Sequence, residues 1–236
     1  PTRRSSDLAE ELSKKFTEMQ DDSEVTAGFM WQKTTRESKK YQLRGEILSF
    51  IPVDKNVEIM LVTITNTGRM AQTVTPTAAI PLYGRSADNI RDHRHVTSLL
   101  HRIETTDTGV LVTPTLSFDE RGHQVNHMTY YCVGWSGNGE KPVDFYPTAE
   151  DFVGEGGNFE RPYAIVKNAE GVKAGTKIEG LEAVGGLHFS EITLEPEEEC
   201  SYLIFTGITE DIQEIRNLSK TYTTREKVLE ELEKTK

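Results

Sequence analysis

Cysteine is almost missing from this chain: Cys132 and Cys200 are the only two in 236 residues. Two thiols build neither a disulfide framework nor a cysteine zinc site. Both are expected to be buried thiols in a reducing compartment. Long apolar runs are missing as well. No stretch of about 18 apolar residues exists, so no membrane-spanning helix is expected. The N-terminal PTRRSSDLAEEL lacks the apolar centre of a secretion signal, which together with the thiols points to the cytoplasm. Positive charge is short: 27 Lys and Arg stand against 38 Asp and Glu, a net charge of −11. Sequence-independent binding to DNA or RNA requires phosphate neutralisation, and an anionic membrane surface attracts basic segments. Neither is an expected partner. The nucleophile and phosphate motifs GxSxG, GxxxxGK[ST], HExxH and a GxGxxG opening a helix are missing too.

What is present suits a packed domain. Hydrophobic residues make up 36% and charged residues 28%, which fits one large domain, or one domain with appendages. The first residue is Pro and the last stretch is charged and helical in pattern, so the chain is expected to be a piece of a longer polypeptide. Asp7 with Glu10 makes a capping box, and Leu8, Leu12, Phe16 and Met19 lay one apolar stripe along a helix. Residues 21–28 break that pattern. From Tyr41 to Thr206 the signals are those of strands. YQLRGEILSFI, NVEIMLVTITN and AQTVTPTAAIPLY are rich in β-branched and aromatic residues. Val57, Ile59 and Leu61 alternate with Glu58, Met60 and Val62. Asn66-Thr67-Gly68-Arg69 reads as a turn, as do Asp107-Thr108-Gly109 and Pro196-Glu197-Glu198-Glu199, each of the last two inside a hairpin. Pro76 and Pro81 demote their strand to an edge or a bulge. Many short strands with no alternating helices predict a mainly β, antiparallel sandwich. After Gly207 the pattern turns helical. Thr209 is expected to cap a segment with Ile212, Ile215 and Leu218. Thr223 and Glu226 are expected to cap another with Val228, Leu229 and Leu232. This amphipathic tail should pack either on the sandwich or on a following domain.

Three connections are long: 84–95, 119–127 and 137–162. Long ordered loops on a sheet scaffold are where sites are built. The segment from Gly84 to Arg102 carries Arg85, Arg91, Arg94 and Arg102 against Asp88 and Asp92. It reads either as a polar ligand loop or as an internal salt-bridge cluster. His93-x-His95 and His123-x-x-x-His127 have ligand-like spacing but no third ligand nearby, so no metal is expected. Gly154-Glu155-Gly156-Gly157 is either a tight turn or a loop whose backbone approaches a ligand. Glu150, Asp151, Glu155 and Glu160 are plentiful carboxylates, and a charged surface loop accounts for them. Trp31, Trp135, Tyr83, Phe145 and Tyr146 serve either a core or a sugar-stacking platform.

The order of VEIMLVTITNTG, HRHVTSLLHRI, FYPTAEDFVGEGGNFERP and GGLHFSEITLEPEEECSYLIFTGIT resembles the β-sandwich domain of the inverting glycoside phosphorylases. These form glycoside hydrolase family 94, formerly glycosyltransferase family 36. The carrying elements are Val57–Gly68, Phe152–Pro162 and Leu194–Gly207, within a match over roughly 41–210. PLYGRSADNIRDHRHVTSLLHR is more similar to the 1,2-β-oligoglucan phosphorylase branch. The resemblance implies a supersandwich like that of galactose mutarotase, with flanking helices at both ends. It implies a helical segment at 1–28, the sandwich at 29–208, and a helical linker at 209–236 toward an (α/α)6 catalytic domain. In the family that domain holds the general acid Asp and inorganic phosphate, the co-substrate, which attacks the anomeric carbon with inversion. No counterpart of that Asp is carried over, and no cofactor is implied. The implied partners are a β-glucan oligosaccharide, the catalytic domain of the same parent chain and, in the parent, a second subunit. Rim residues contributed to a neighbouring active site would be Arg85, Asp88, Asn89, Arg91, His93, Glu155 and Arg161. Two rivals remain: a stand-alone carbohydrate-binding protein, and a mutarotase-like enzyme pairing His93 or His95 with Glu155.

Overall fold

A computed structural model describes residues 22–84, 97–119 and 122–236. The helix expected over 7–19 lies outside the described residues. The described residues form sixteen strands in chain order. They are β1 Asp22–Gly28, β2 Trp31–Ser38, β3 Leu43–Phe50, β4 Val57–Asn66, β5 Gln72–Val74, β6 Thr77–Leu82, β7 Arg102–Thr105 and β8 Gly109–Val112. Then come β9 Leu116–Asp119, β10 Gly122–Val125, β11 Thr129–Ser136, β12 Asp144–Thr148, β13 Lys177–Glu179, β14 Ala183–His188, β15 Ile192–Leu194 and β16 Glu199–Thr209. Among the described residues four helices accompany them: α1 Ala149–Val153, α2 Tyr163–Lys167, α3 Ile212–Thr221 and α4 Arg225–Thr235. No described helix is long and apolar enough to cross a membrane.

The strands form a nine-stranded sheet in the order β1-β2-β3-β4-β16-β11-β8-β7-β13. A three-stranded sheet, β12-β14-β6, and the pair β15-β5 lie beside it, with β10-β9 as a separate hairpin. Every ladder is antiparallel. The alternation in β4 decides how the layers stack, because successive side chains point to opposite faces. Val57, Ile59 and Leu61 enter one core, with Tyr131, Val133, Trp135, Leu203 and Phe205. Met60, Val62 and Ile64 face the other core, with Cys132, Phe145, Leu187, Leu194 and Ile204. The second core is the sandwich interior, closed by the smaller sheets. The first is roofed by α3 and α4, through Ile215, Leu218, Tyr222, Val228 and Leu232. The central strands are thus buried on both faces, which is why CSYLIFTGI reads as a nearly continuous apolar run. Burial pushes the Cys132 thiol up to about 12, so it is protonated and inert at neutral pH. Cys200 is half-buried.

Several expectations change in detail. Residues 22–28, where the helical pattern breaks, form a strand, since β2 offers them a continuous register from Asp22↔Glu37 to Gly28↔Trp31. The 119–127 connection is largely taken up by the β9–β10 hairpin, so His123 lies on a strand and not on a helix. The 137–162 connection contains β12 and α1. The turn at 196–199 does not join a hairpin. β15 pairs with β5 while β16 pairs with β4 and β11, so this turn carries the chain from one layer to another. β6, with Pro81, is an edge strand, where proline is tolerated, and Pro76 lies just before it. Asp211 is the N-cap of α3, its carboxylate accepting from the Gln213 N–H, while Thr209 Oγ1 accepts from the Asp211 N–H one turn earlier. Thr224, not Thr223, precedes α4.

Candidate functional surface

The glycine-rich loop grows out of β12. Thr148 caps α1, accepting at Oγ1 from the Asp151 N–H and donating to its carboxylate. α1 lasts five residues and ends at Gly154, whose φ of 79° belongs to glycine. Gly157 is held so close that a Cβ there would lie 1.9 Å from the Val153 carbonyl oxygen. Asn158 Oδ1 then accepts from the N–H groups of Glu160 and Arg161 at 3.0 Å each, an Asx turn that leads into Pro162 and α2. Phe152 anchors the loop against Tyr146 and Phe159.

Two hollows flank this loop. One is lined by Tyr146, Glu150, Asp151, Glu155, Tyr163 and Glu170. The other is lined by Tyr83, Gly84, Thr97, His101, Phe159 and Glu182. Glu155 is therefore grouped with three further carboxylates, on the wall beside Tyr163. Arg161 is exposed and lines neither hollow. Arg85, Asp88, Asn89, Arg91 and His93 lie outside the described residues, as do Arg94 and His95. The flanks of their segment, Gly84 and Thr97, meet Phe159 of the glycine-rich loop across the second hollow. Of the five aromatic candidates, Trp135, Phe145 and Tyr146 are core, Trp31 packs at the edge of the helix-side core, and Tyr83 is exposed. Among the described residues no group of three His, Cys, Asp or Glu is placed to hold a metal.

One polar cluster is absent from the sequence reading. His188 Nδ1 lies 2.6 Å from Asp144 Oδ1 and 3.4 Å from the Tyr146 hydroxyl. Asp144 is 4% exposed. The Tyr146 hydroxyl donates to the Ala169 carbonyl at 2.6 Å, and Lys173 Nζ stands 3.9 Å from Asp144 Oδ2. Burial, and then the Asp144 charge, push the Tyr146 phenol up to about 12, so it stays a neutral donor. Asp144 and Tyr146 share one face of β12 because they are two apart, and β14 brings His188 opposite Asp144. No local signal pairs residues 44 apart in sequence. Neither Asp144 nor His188 lines either hollow. The cluster ties the 169–173 segment to the sheet, beside the Phe145–Val172 bridge. Tyr146→Phe removes one buried hydrogen bond and is expected to cost about 1 kcal/mol in denaturant unfolding. Amide exchange at Gly171 and Val172 should quicken with it.

The family of glycosyl hydrolase 94 supersandwich domains matches residues 12–225. The chain belongs to that family. The sandwich geometry above is what the name describes: a large sheet faced by a smaller one. The matched residues include every strand from β1 to β16 and end at the first residue of α4. Among curated protein sequences none matches. Among solved structures, a protein assigned as a kojibiose phosphorylase from the human microbiome is similar, at a TM-score of 0.39 and 9% identity. That likeness covers 81% of this chain and 20% of that one, so the chain spans a fifth of its neighbour's length.

Proposed function

We propose that this chain is the non-catalytic supersandwich domain of a cytoplasmic inverting glycoside phosphorylase that cleaves β-glucan oligosaccharides with inorganic phosphate. The observation that carries this reading is the family match across 12–225, nearly the whole chain. In this reading the general acid and the phosphate site belong to an (α/α)6 domain of the parent polypeptide. A phosphate oxygen attacks the anomeric carbon as the acid protonates the departing glycosidic oxygen, and the configuration inverts. The sandwich supplies oligomer contacts and the rim of the site, with Arg85, Asp88, Asn89, Arg91, His93, Glu155 and Arg161 as rim groups. Support for the rim comes from the convergence of Gly84, Thr97 and Phe159 at one hollow. Arginine forks at such a rim suit sugar hydroxyls and phosphate. The similarity of the 81–102 segment favours 1,2-β-linked glucan.

The test uses the purified chain with β-glucan oligosaccharides and phosphate. No sugar 1-phosphate is expected, and measurable release would overturn the non-catalytic assignment. Calorimetric titration with the same oligosaccharides separates the rival reading: millimolar or tighter binding by this chain would favour a stand-alone carbohydrate-binding protein.

A further inference from the structure

One asparagine in this chain is placed for a reaction that needs no enzyme. Asn138-Gly139 is the sole Asn-Gly pair in the sequence, and every other Asn is followed by a residue with a Cβ. An asparagine carboxamide is attacked by the backbone nitrogen of the next residue, and a side chain on that residue crowds the approach. Glycine removes the obstacle. The pair lies in the turn that leaves β11, and both residues are exposed. Gly139 has a φ of 84°, and a Cβ there would meet nothing within 4 Å, so there is room for a ring to form. Among the described residues the Asn138 carboxamide has no partner. Other asparagines are held. Asn66 makes three side-chain hydrogen bonds, Asn126 Oδ1 accepts from the Met128 N–H at 2.8 Å, and Asn158 Oδ1 accepts from Glu160 and Arg161.

The same turn holds the reaction back. The Gly139 N–H, whose nitrogen must attack, donates to the Ser136 carbonyl at 2.8 Å, and the Ser136 N–H donates to the Glu140 carbonyl at 2.8 Å. Ser136 Oγ accepts from the N–H groups of Asn138 at 3.3 Å and Glu140 at 3.0 Å. Ser136 is itself 9% exposed and fixed at the end of β11, opposite Tyr202. It therefore closes the turn with both its main chain and its hydroxyl. We propose that Asn138 is a deamidation site, and that Ser136 sets its rate by keeping the Gly139 nitrogen occupied. Once the turn opens, the Gly139 nitrogen bonds to Asn138 Cγ, the Cγ–Nδ2 bond breaks, and ammonia leaves with the proton from Gly139. Water then opens the succinimide at either carbonyl, which gives aspartate or isoaspartate at 138. Either product alters the turn. Aspartate sets a new carboxylate between β11 and Glu140, close in sequence to Lys141, which pairs with Asp107. Isoaspartate adds one backbone carbon between residues 138 and 139, so the Ser136–Glu140 bond no longer closes the same ring. The chemistry is independent of the carbohydrate reading.

The test ages the full chain in mildly alkaline buffer and follows the peptide that spans residue 138 by mass spectrometry. A gain equal to the replacement of NH2 by OH is expected there before any other asparagine shows it. Asn138→Gln should stop the gain, because the longer side chain would have to close a larger ring. Ser136→Ala removes two hydrogen bonds from the turn, so the turn opens more often and conversion should quicken about tenfold. A synthetic peptide of residues 134–142 gives the rate of an unheld Asn-Gly pair, which should exceed the rate in the folded chain. An Asn138 that stays intact while the peptide converts fully, or that lags behind another asparagine, would overturn the site. An unchanged rate in folded Ser136→Ala would overturn the role of Ser136. If Ser136→Ala fails to fold, the peptide decides: a slower native chain supports the holding turn, and equal rates sink it.

Discussion

A chain ended at Thr209 is expected to unfold or precipitate where the full chain folds. The amphipathic segment after Thr209 closes a core. Ile215, Leu218, Tyr222, Val228 and Leu232 are all buried against Val57, Ile59, Leu61, Trp135, Leu203 and Phe205. Burying one such side chain is worth about 1.5–3 kcal/mol, so losing five removes an amount comparable with the entire stability of a domain, about 5–15 kcal/mol. Polar contacts set the position of the helices. The Trp135 indole N–H donates to the Tyr222 carbonyl at 2.9 Å, and Lys55 Nζ reaches both the Tyr222 hydroxyl at 2.5 Å and Glu231 at 2.7 Å. The Tyr222 ring stacks on Phe205, 5.5 Å between centroids, and Phe205 stacks on Trp135 at 4.7 Å. A single substitution should show the same effect in smaller form. Tyr222→Ala empties a site only 2% exposed and is expected to cost about 3–5 kcal/mol. Tyr222→Phe loses the Lys55 contact and should cost about 1 kcal/mol. Guanidinium unfolding followed by Trp135 fluorescence reads both. A truncated chain that melts cooperatively near the full chain's temperature would show that the helices are an appendage after all.

That roof explains why some of the architecture was legible and some was not. Strand periodicity made the β class plain, and β4 displayed both of its faces as Val57, Ile59, Leu61 against Met60, Val62. What covers each face is a question of which distant segment packs there, and periodicity within one strand carries no such information. The tail at 212–232 could have roofed this sheet or a neighbouring domain on its sequence alone. The turn signals at 66–69 and 107–109 named real turns because Asn and Gly act locally. The signal at 196–199 named a turn equally well, but the turn joins strands of different layers, since hairpin chemistry does not by itself choose a strand's partner. The candidate surface divides the same way. The glycine-rich loop at 154–157 was legible because positive φ and close approach demand glycine. The Asp144–His188–Tyr146 cluster was not, because it exists only once β12 lies beside β14.

Asn66→Asp is expected to destabilise the chain more than Asn66→Ala at neutral pH, and to recover partly in acid. Asn66 ends β4 and is fully buried, at 0% exposure. Its Nδ2 donates to the carbonyls of Met70 and Leu194, both at 2.8 Å, and its Oδ1 accepts from the Gly68 N–H at 2.9 Å. Its backbone N–H donates to Glu198 O at 3.0 Å and its carbonyl accepts from the Glu197 N–H at 2.9 Å. One residue therefore joins the end of β4 to the 67–70 turn, to β15, and to the turn that leads into β16. Alanine leaves the buried Leu194 carbonyl, the partly buried Met70 carbonyl and one N–H without their partners, a cost of about 2–4 kcal/mol at roughly 1 kcal/mol or more each. Aspartate keeps the acceptor for Gly68 but turns a carboxylate oxygen toward two carbonyl oxygens, and a buried unpaired charge costs more than a missing bond. The folded state then favours the neutral acid, so the introduced carboxyl has its folded pKa raised above the unfolded value. The native state binds the extra proton, and stability falls as pH rises through the interval between the two values. Lowering the pH toward about 4, the ordinary carboxylate range, returns one O–H donor and should close part of the gap to wild type. Urea unfolding of wild type and both variants at neutral and acid pH measures it. Equal destabilisation by Asp at both pH values would show that the Asn66 side chain is not the latch its three hydrogen bonds describe.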